Sequence, residues 1–223
     1  MNAENWMIVW QARDVLLQGL GTTIGLFLGS TIAGFLLACV AVYHMTEHGG
    51  ATSKLLRGGV NVMRMLPFLM FAYLLYYGLP AVGLRLTALQ AGLLGLTVYH
   101  GAYIAEILRG ARLTLAPGTL EAAYAHGYGR KKAWVRIVLP QLVMRSRTVL
   151  GNQAIMSLKD TSFLSIITVT ELTAAANAVQ SRYFIPVEAF VVAIGLYWAM
   201  GLALEAIVRR ARRTTLRRGF EHV

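Results

Sequence analysis

The sequence predicts an all-α, polytopic membrane protein with about five transmembrane helices. Three observations predict it. Of the 223 residues, 57% are hydrophobic and only 14% are charged, against about 25% charge in soluble domains. Apolar runs reach roughly 20 residues, enough for one helical crossing of a bilayer. The basic residues lie mainly in alternate connections and in the tail, the arrangement that orients a polytopic chain.

The first span is expected from about Val15 to Tyr43. Its pairs Gly21/Gly25 and Gly25/Gly29 have the small-xxx-small spacing that lets another helix approach closely in lipid. Glycine is also simply common in transmembrane helices, and both readings stand. The second span is expected from about Val60 to Leu79, with Arg64 and Pro67 near its start. A proline there kinks the helix. The third runs from about Leu86 to Leu108. The fourth begins after Pro140 and reaches about Val169, interrupted at Lys159-Asp160. The fifth runs from about Phe184 to Val208. The whole chain, 1–223, reads as one transmembrane domain. Cys39, the lone cysteine, lies in an apolar run and reads as a small packing residue. Met1 to Asp14 carries acids and no basic segment, so no cleavable leader is expected.

Five spans put the termini on opposite sides. The connections 44–59 and 109–147 and the tail 209–223 together carry 16 lysines and arginines, and the other side carries Arg13, Arg85 and Arg182. The positive-inside rule then places the N-terminus outside and the 109–147 segment and C-terminus in the cytoplasm. The net charge of +11 is read as topology and not as a nucleic-acid footprint. The arginine-rich tail reads as an anchor to anionic headgroups, at about 1 kcal/mol per basic residue.

Between the third and fourth spans lies a polar insert, GTLEAAYAHGYGRKKAWVRIVLP, from Gly118 to Pro140. Pro117-Gly118 breaks the chain. Thr119 starts a helix, and Glu121 in its first turn suits the positive end of the helix dipole. Ala122, Ala123 and Ala125 favour helix, and Gly127 and Gly129 stop or bend it. One face of this short helix is nearly bare, so a partner's groove can approach the backbone. A second helix, from about Lys131 to Val138, returns to the membrane before Pro140.

At these residues the chain resembles a known family. Glu121, Ala122, Ala123, Gly127, Ile137, Leu139 and Pro140 match the EAA motif of the permease subunits of binding-protein-dependent ABC importers. AYIAEILRGA (102–111), LKDTSF (158–163), NVMRMLP (61–67) and YYGLP (76–80) are similar to the polar amino acid branch. His126 stands where the motif has leucine, Met65-Leu66 where a small pair is common, and Phe163 where the branch has leucine. The resemblance implies a type I importer fold for the bacterial inner membrane. It implies a coupling segment of about 109–145, whose helix docks through Glu121, Ala122, Ala123 and Gly127 onto a separate ATPase. The partners implied are a second permease subunit (the same or a similar chain), two ATPase subunits, an extracytoplasmic amino-acid-binding protein and membrane lipid, without nucleic acid. The chain has no G-x-x-x-x-G-K-[ST] segment, so ATP and magnesium are expected on the ATPases and no cofactor on this chain.

Inside the membrane the sharpest feature is Lys159-Asp160, flanked by Asn152, Gln153, Ser157, Thr161, Ser162 and Ser165. Charges at membrane depth mark functional sites by default, and a broken helix there must have its backbone groups satisfied by a cavity or by neighbours. The two charges are expected to pair or to face a water-filled path. Both a substrate path and a structural ion pair stand as readings. The candidate path residues are Arg64, Pro67, Gln153, Lys159, Asp160, Thr161 and Ser162. Arg64 reads as lining that path or as snorkelling to the cytoplasmic surface.

Glu106, Arg109 and Arg112 allow i,i+3 pairing. His44, Glu47 and His48 read as a wet loop without a metal. Tyr73, Tyr76 and Tyr77 read as interface-belt residues. Glu171 and Glu188 are expected at the outer face or in water.

The function expected is a permease subunit of an ATP-driven amino acid importer, without covalent chemistry of its own. A gradient-driven transporter or channel subunit is the alternative. A membrane enzyme lacks a nucleophile–base constellation.

Overall fold

The structure is a computed structural model that describes residues 3–216. Among the described residues every regular element is helical. The helices are α1 (Ala3–Gln11), α2 (Arg13–Glu47), α3 (Ala51–Met65), α4 (Phe68–Tyr73), α5 (Ala88–Leu113), α6 (Gly118–Ala125), α7 (Arg130–Ala133), α8 (Leu139–Asp160), α9 (Leu172–Tyr183) and α10 (Pro186–Leu216). Short π-type turns (Leu74–Gly78 and Trp134–Val138) and 3-10 turns (Leu79–Val82 and Thr161–Ile167) prolong α4, α7 and α8. Of the basic tail expected from residue 209, residues 217–223 lie outside the described residues.

Three helices are long and apolar enough to cross a membrane: Arg13–Glu47, Ala88–Leu113 and Pro186–Arg210. Two bent pairs make up to five crossings, Ala51–Met65 with Phe68–Val82 and Arg130–Ile167 with Leu172–Tyr183.

α2 is the central pillar and packs most extensively on α5. Its buried face repeats every three or four residues: Leu16, Gly19, Thr23, Leu26, Ser30, Gly34, Ala38, Val42 and Met45. The middle of this stripe is small, because lipid provides no hydrophobic drive between helices and close backbone contact must replace it. A Cβ at Gly34 would lie 3.0 Å from the carbonyl oxygen of Thr97 on α5, and one at Gly19 would lie 2.7 Å from Ala175 Cβ on α9. The expected small-xxx-small pairs are not these contacts. Gly21 and Gly25 have nothing within 4 Å, and Gly29 meets only Leu93, at 3.3 Å. Glycine spacing marks which positions are narrow, but the face that turns inward is chosen by the whole stripe.

The second span differs from expectation. Leu66 and Pro67 are both extended, since a residue before proline avoids the helical region. The chain therefore turns a 106° corner instead of kinking. Arg64, expected one turn inside the span, is on the last turn of α3 before that corner. The helix resumes at Phe68.

Glu171 and Glu188 are also not in water. Glu171 is 0% exposed. It caps α9, accepting from the backbone N–H groups of Thr173 and Ala174, each at 2.8 Å, and from Tyr197 Oη at 2.7 Å. These donors offset the desolvation of a buried carboxylate. Glu188 is buried beside α1 and accepts from Asn5 Nδ2 at 3.0 Å. Both acids serve the fold where the chain must close on itself.

The glycine contacts give a differential test. Gly34→Val overfills the α2–α5 contact, at about 1–3 kcal/mol for overpacking. It is expected to lower the thermal stability of the detergent-purified protein, while Gly21→Val leaves it unchanged. Equal effects at both positions would contradict the packing described.

Candidate functional site

Two regions carry the polar chemistry of this chain. The first is the segment containing α6. Glu121, Ala122, Tyr124 and Ala125 are exposed and only Ala123 is buried. The helix ends in a Schellman motif, with Tyr128 N–H donating to Ala123 O at 3.0 Å and Gly127 N–H to Tyr124 O at 2.9 Å. The residue at the turn is Gly127, with φ +77°, a conformation that glycine adopts without strain. The exposed face therefore presents one carboxylate, two alanine methyl groups and the Tyr124 ring to whatever lies outside.

The segment is fixed firmly to the bundle behind it. Trp134 and Val138 are buried in one cluster with Val42 and Met45 of α2, Leu108 of α5 and Leu142 of α8. The Tyr43 ring lies 5.5 Å from that of Trp134. The last carbonyls of α2, which have no partner within the helix, are met by side chains. Ser53 Oγ and Arg57 Nη2 donate to Met45 O at 2.9 and 2.7 Å, and Arg130 Nη1 to Glu47 O at 3.5 Å. Arg112 reaches Glu47 Oε1 at 2.9 Å, so it pairs across to α2, while Arg109 grips Glu106 with two hydrogen bonds. Glu47 is thus an anchor of this end of the bundle, and His44 and His48 pack against Tyr43.

The second region is the break in α8. The α-helix ends at Asp160 and continues as 3-10 turns from Thr161 to Ile167. Gln153, Ser157 and Asp160 repeat at helical spacing on one face. That face meets α5 at His100. Gln153 Nε2 lies 2.7 Å from His100 Nδ1, and His100 Nε2 lies 3.4 Å from Asp160 Oδ2. His100 is 1% exposed and Asp160 22% exposed, so the acid borders the open surface while the imidazole supports it from behind. The expected Lys159–Asp160 pairing does not form. Consecutive residues of a helix point about 100° apart; Asp160 turns toward α5 and Lys159 is exposed.

Thr161, Ser162 and Ser165 donate to the carbonyls of Leu158, Lys159 and Ser162 at 2.6, 2.7 and 2.8 Å. Their hydroxyls bond back onto carbonyls three residues earlier, as serine and threonine do in helices. The Pro67 corner also delivers Phe68 to this place, with ring centroids 5.2 Å from Tyr99 and 6.1 Å from His100. Arg64 sits further along α5. Its carbonyl accepts from Tyr103 Oη at 3.0 Å and its Nη1 lies 3.6 Å from Glu106. The structure thus brings Gln153 and Asp160 to His100, carries Phe68 there from the Pro67 corner, keeps Thr161 and Ser162 bonded back to the α8 backbone, leaves Arg64 beside Tyr103 and Glu106 and leaves Lys159 exposed.

Sequence reasoning missed His100. The signal was present, since an ionisable residue in the apolar run LTVYHGAYIA is a functional candidate at membrane depth. It also missed Tyr99 and Tyr103, whose roles appear only when α3 and α4 fold against α5.

Comparison with known proteins follows the same lines. The family described as "Binding-protein-dependent transport system inner membrane component" matches residues 14–216. The chain is 30% identical over 211 residues to the glutamine transport system permease protein GlnP of Escherichia coli strain K12, covering 94% of this chain and 96% of that protein. It is 30% identical over 214 residues to the nopaline transport system permease protein NocM of Agrobacterium fabrum, covering 92% and 89%. Among solved structures, an amino acid ABC transporter with histidines matches at a TM-score of 0.83 and 25% identity, over 94% of this chain and 98% of that one. An inward-facing methionine ABC transporter shares the fold at a TM-score of 0.68 and 20% identity, over 88% and 95%. The chain belongs to the family of inner-membrane permease components of binding-protein-dependent ABC importers.

Proposed function

We propose that this permease carries amino acids, that α6 docks onto a separate ATPase, and that the break in α8 borders the substrate path. The observation that supports the coupling most is that α6 is exposed on one side and anchored on the other. Its outer face bears Glu121 and Ala122, and its return segment is held by Trp134 and Val138 in the core. ATP and magnesium bind the ATPase, whose closure moves α6. The push reaches α5 and α8 through that core. On α5, Leu108 and His100 are eight residues apart, about 12 Å along a stiff helix. A displacement at the core therefore arrives at the His100–Asp160 contact with little loss.

The amino acid reading rests on the names of the relatives and on the chemistry of Asp160. A partly open carboxylate backed by a buried imidazole suits a substrate ammonium group. Two ATPases need two docking helices, so the path lies between this chain and a second permease, the same or similar. A binding protein delivers substrate from the side opposite α6. Positive charge in the 109–147 segment then places α6 and the C-terminus in the cytoplasm and the N-terminus outside. The whole chain acts as one permease domain, with basic tail residues such as Arg209 and Arg210 toward the headgroups.

Substitutions in α6 separate motor from transport. Glu121→Lys or Gly127→Asp is expected to leave membrane insertion intact and to uncouple ATP hydrolysis from uptake in proteoliposomes. Normal uptake by Gly127→Asp would oppose the proposal. At the break, Asp160→Asn is expected to reduce uptake on the order of tenfold or more, the scale of one charge-assisted hydrogen bond, with assembly unchanged. His100→Gln, which keeps a polar group beside Asp160, is expected to retain more uptake than His100→Leu. Wild-type uptake by Asp160→Asn would remove the carboxylate from the path.

A further inference from the structure

The outward face of α2 carries a second pattern, which starts beside the α8 break and runs on toward the α6 end. Leu28, Ile32, Leu36 and Val40 follow one another at four-residue spacing and are each at least half exposed. The next position in the series is His44, also exposed. The stripe thus runs through four apolar steps and ends on an imidazole. From Ile32 to His44 is twelve residues, about 18 Å of helix, close to one leaflet of a hydrocarbon core roughly 30 Å thick.

Two cavities open against α2. One, of about 290 Å³, is walled by Ile32, Phe35 and Leu36 on the α2 side and by His100, Gln153 and Ser157 on the other, so it opens onto the α8 break already described. The other, of about 330 Å³, begins eight residues further along α2, at Val40 and His44. Its far wall is Val135 and Leu139, and Tyr43, Trp134 and Lys131 complete it. Aromatic rings and a lysine at the end of an apolar groove are the chemistry of a membrane–water boundary. Among the described residues Lys131 makes no hydrogen bond or ion pair, whereas the neighbouring Lys132 lies 5.4 Å over the Tyr128 ring. Glu47, the carboxylate nearest along α2, is held by Arg112 at 2.9 Å, so no acid neutralises Lys131.

We propose that this seam between α2 and the segment leading into α8 binds one anionic phospholipid of the leaflet on the α6 side. An acyl chain lies along Ile32, Leu36 and Val40, and the phosphate meets Lys131 and His44. The headgroup thereby touches the segment that carries α6, so lipid charge tunes how firmly that segment is held. The headgroup contacts at Lys131 and His44 lie apart from the α8 break, so the site fails separately from the coupling reading.

The test is native mass spectrometry of the assembled transporter taken from nanodiscs of mixed phosphatidylglycerol and phosphatidylcholine. The expected result is one retained phosphatidylglycerol per permease, preferred by about fivefold for each basic contact. The retained lipid is lost in Lys131→Gln/His44→Gln and in Val40→Trp, which fills the groove, and kept in Lys132→Gln. Equal retention of both lipids, or equal loss in Lys132→Gln, would overturn the site in favour of a diffuse basic surface. A Val40→Cys variant, in a Cys39→Ala background, that cross-links to a second permease would overturn it in favour of a protein neighbour. A Val40→Trp variant that keeps normal melting but still retains the lipid would also overturn it.

Discussion

In a bilayer a backbone group cannot fall back on lipid for hydrogen bonds, so it must find a partner within the protein or in a water-filled cavity. That constraint shapes each irregular point of this fold. Where α8 breaks, three hydroxyls bond back onto carbonyls three residues earlier. Where α9 begins, Glu171 takes two backbone N–H groups and a tyrosine hydroxyl. Where α2 ends, Ser53, Arg57 and Arg130 supply donors that the helix itself lacks. Regular helix carries the chain through the membrane, and the exceptions are placed where a specific side chain makes them tolerable.

The same constraint bears on the coupling proposed between the two polar regions. A helix whose hydrogen bonds are internal and whose contacts are close is stiff over short distances. α5 passes from the cluster that holds Trp134 and Val138 to His100 without a break. Gly34 and Gly101 let α2 approach α5 so closely that a Cβ at either would meet backbone within 3.2 Å. α2, α5 and the return segment of α6 therefore behave as one body at that end. In the coupling proposed above, motion of α6 is carried as displacement of that body. The break in α8 lies against the far part of the same helix, where a small shift alters the setting of Asp160.

Much of this was legible in the sequence, for definite reasons. Crossing number follows from apolar length, and length needs no partner. The end of α6 at Gly127 followed from glycine's tolerance of positive φ. The break after Lys159-Asp160 followed from the cost of polar residues in lipid. What escaped depended on partners distant in sequence. Asp160 meets His100, sixty positions earlier, only because α8 packs on α5. Glu171 looked like a surface acid because its donors include Tyr197, which lies on α10. The Pro67 corner and a mild kink share one hydropathy profile, and only the extended conformation of both Leu66 and Pro67 distinguishes them. Glycine spacing suggested Gly21 and Gly25, while the packed positions Gly19 and Gly34 follow the register of the entire buried stripe.

The central claim is that α6 is gripped by a nucleotide-hydrolysing neighbour and drives the bundle. The most direct measurement places a cysteine at Ala122 in a Cys39→Ala background and applies a short bifunctional cross-linker to native membranes. The account predicts a covalent product with the ATPase chain, and uptake and hydrolysis that stop together when it forms. An Ala122→Cys side chain that is labelled only from the external side, or that forms no such product while transport continues, would contradict it.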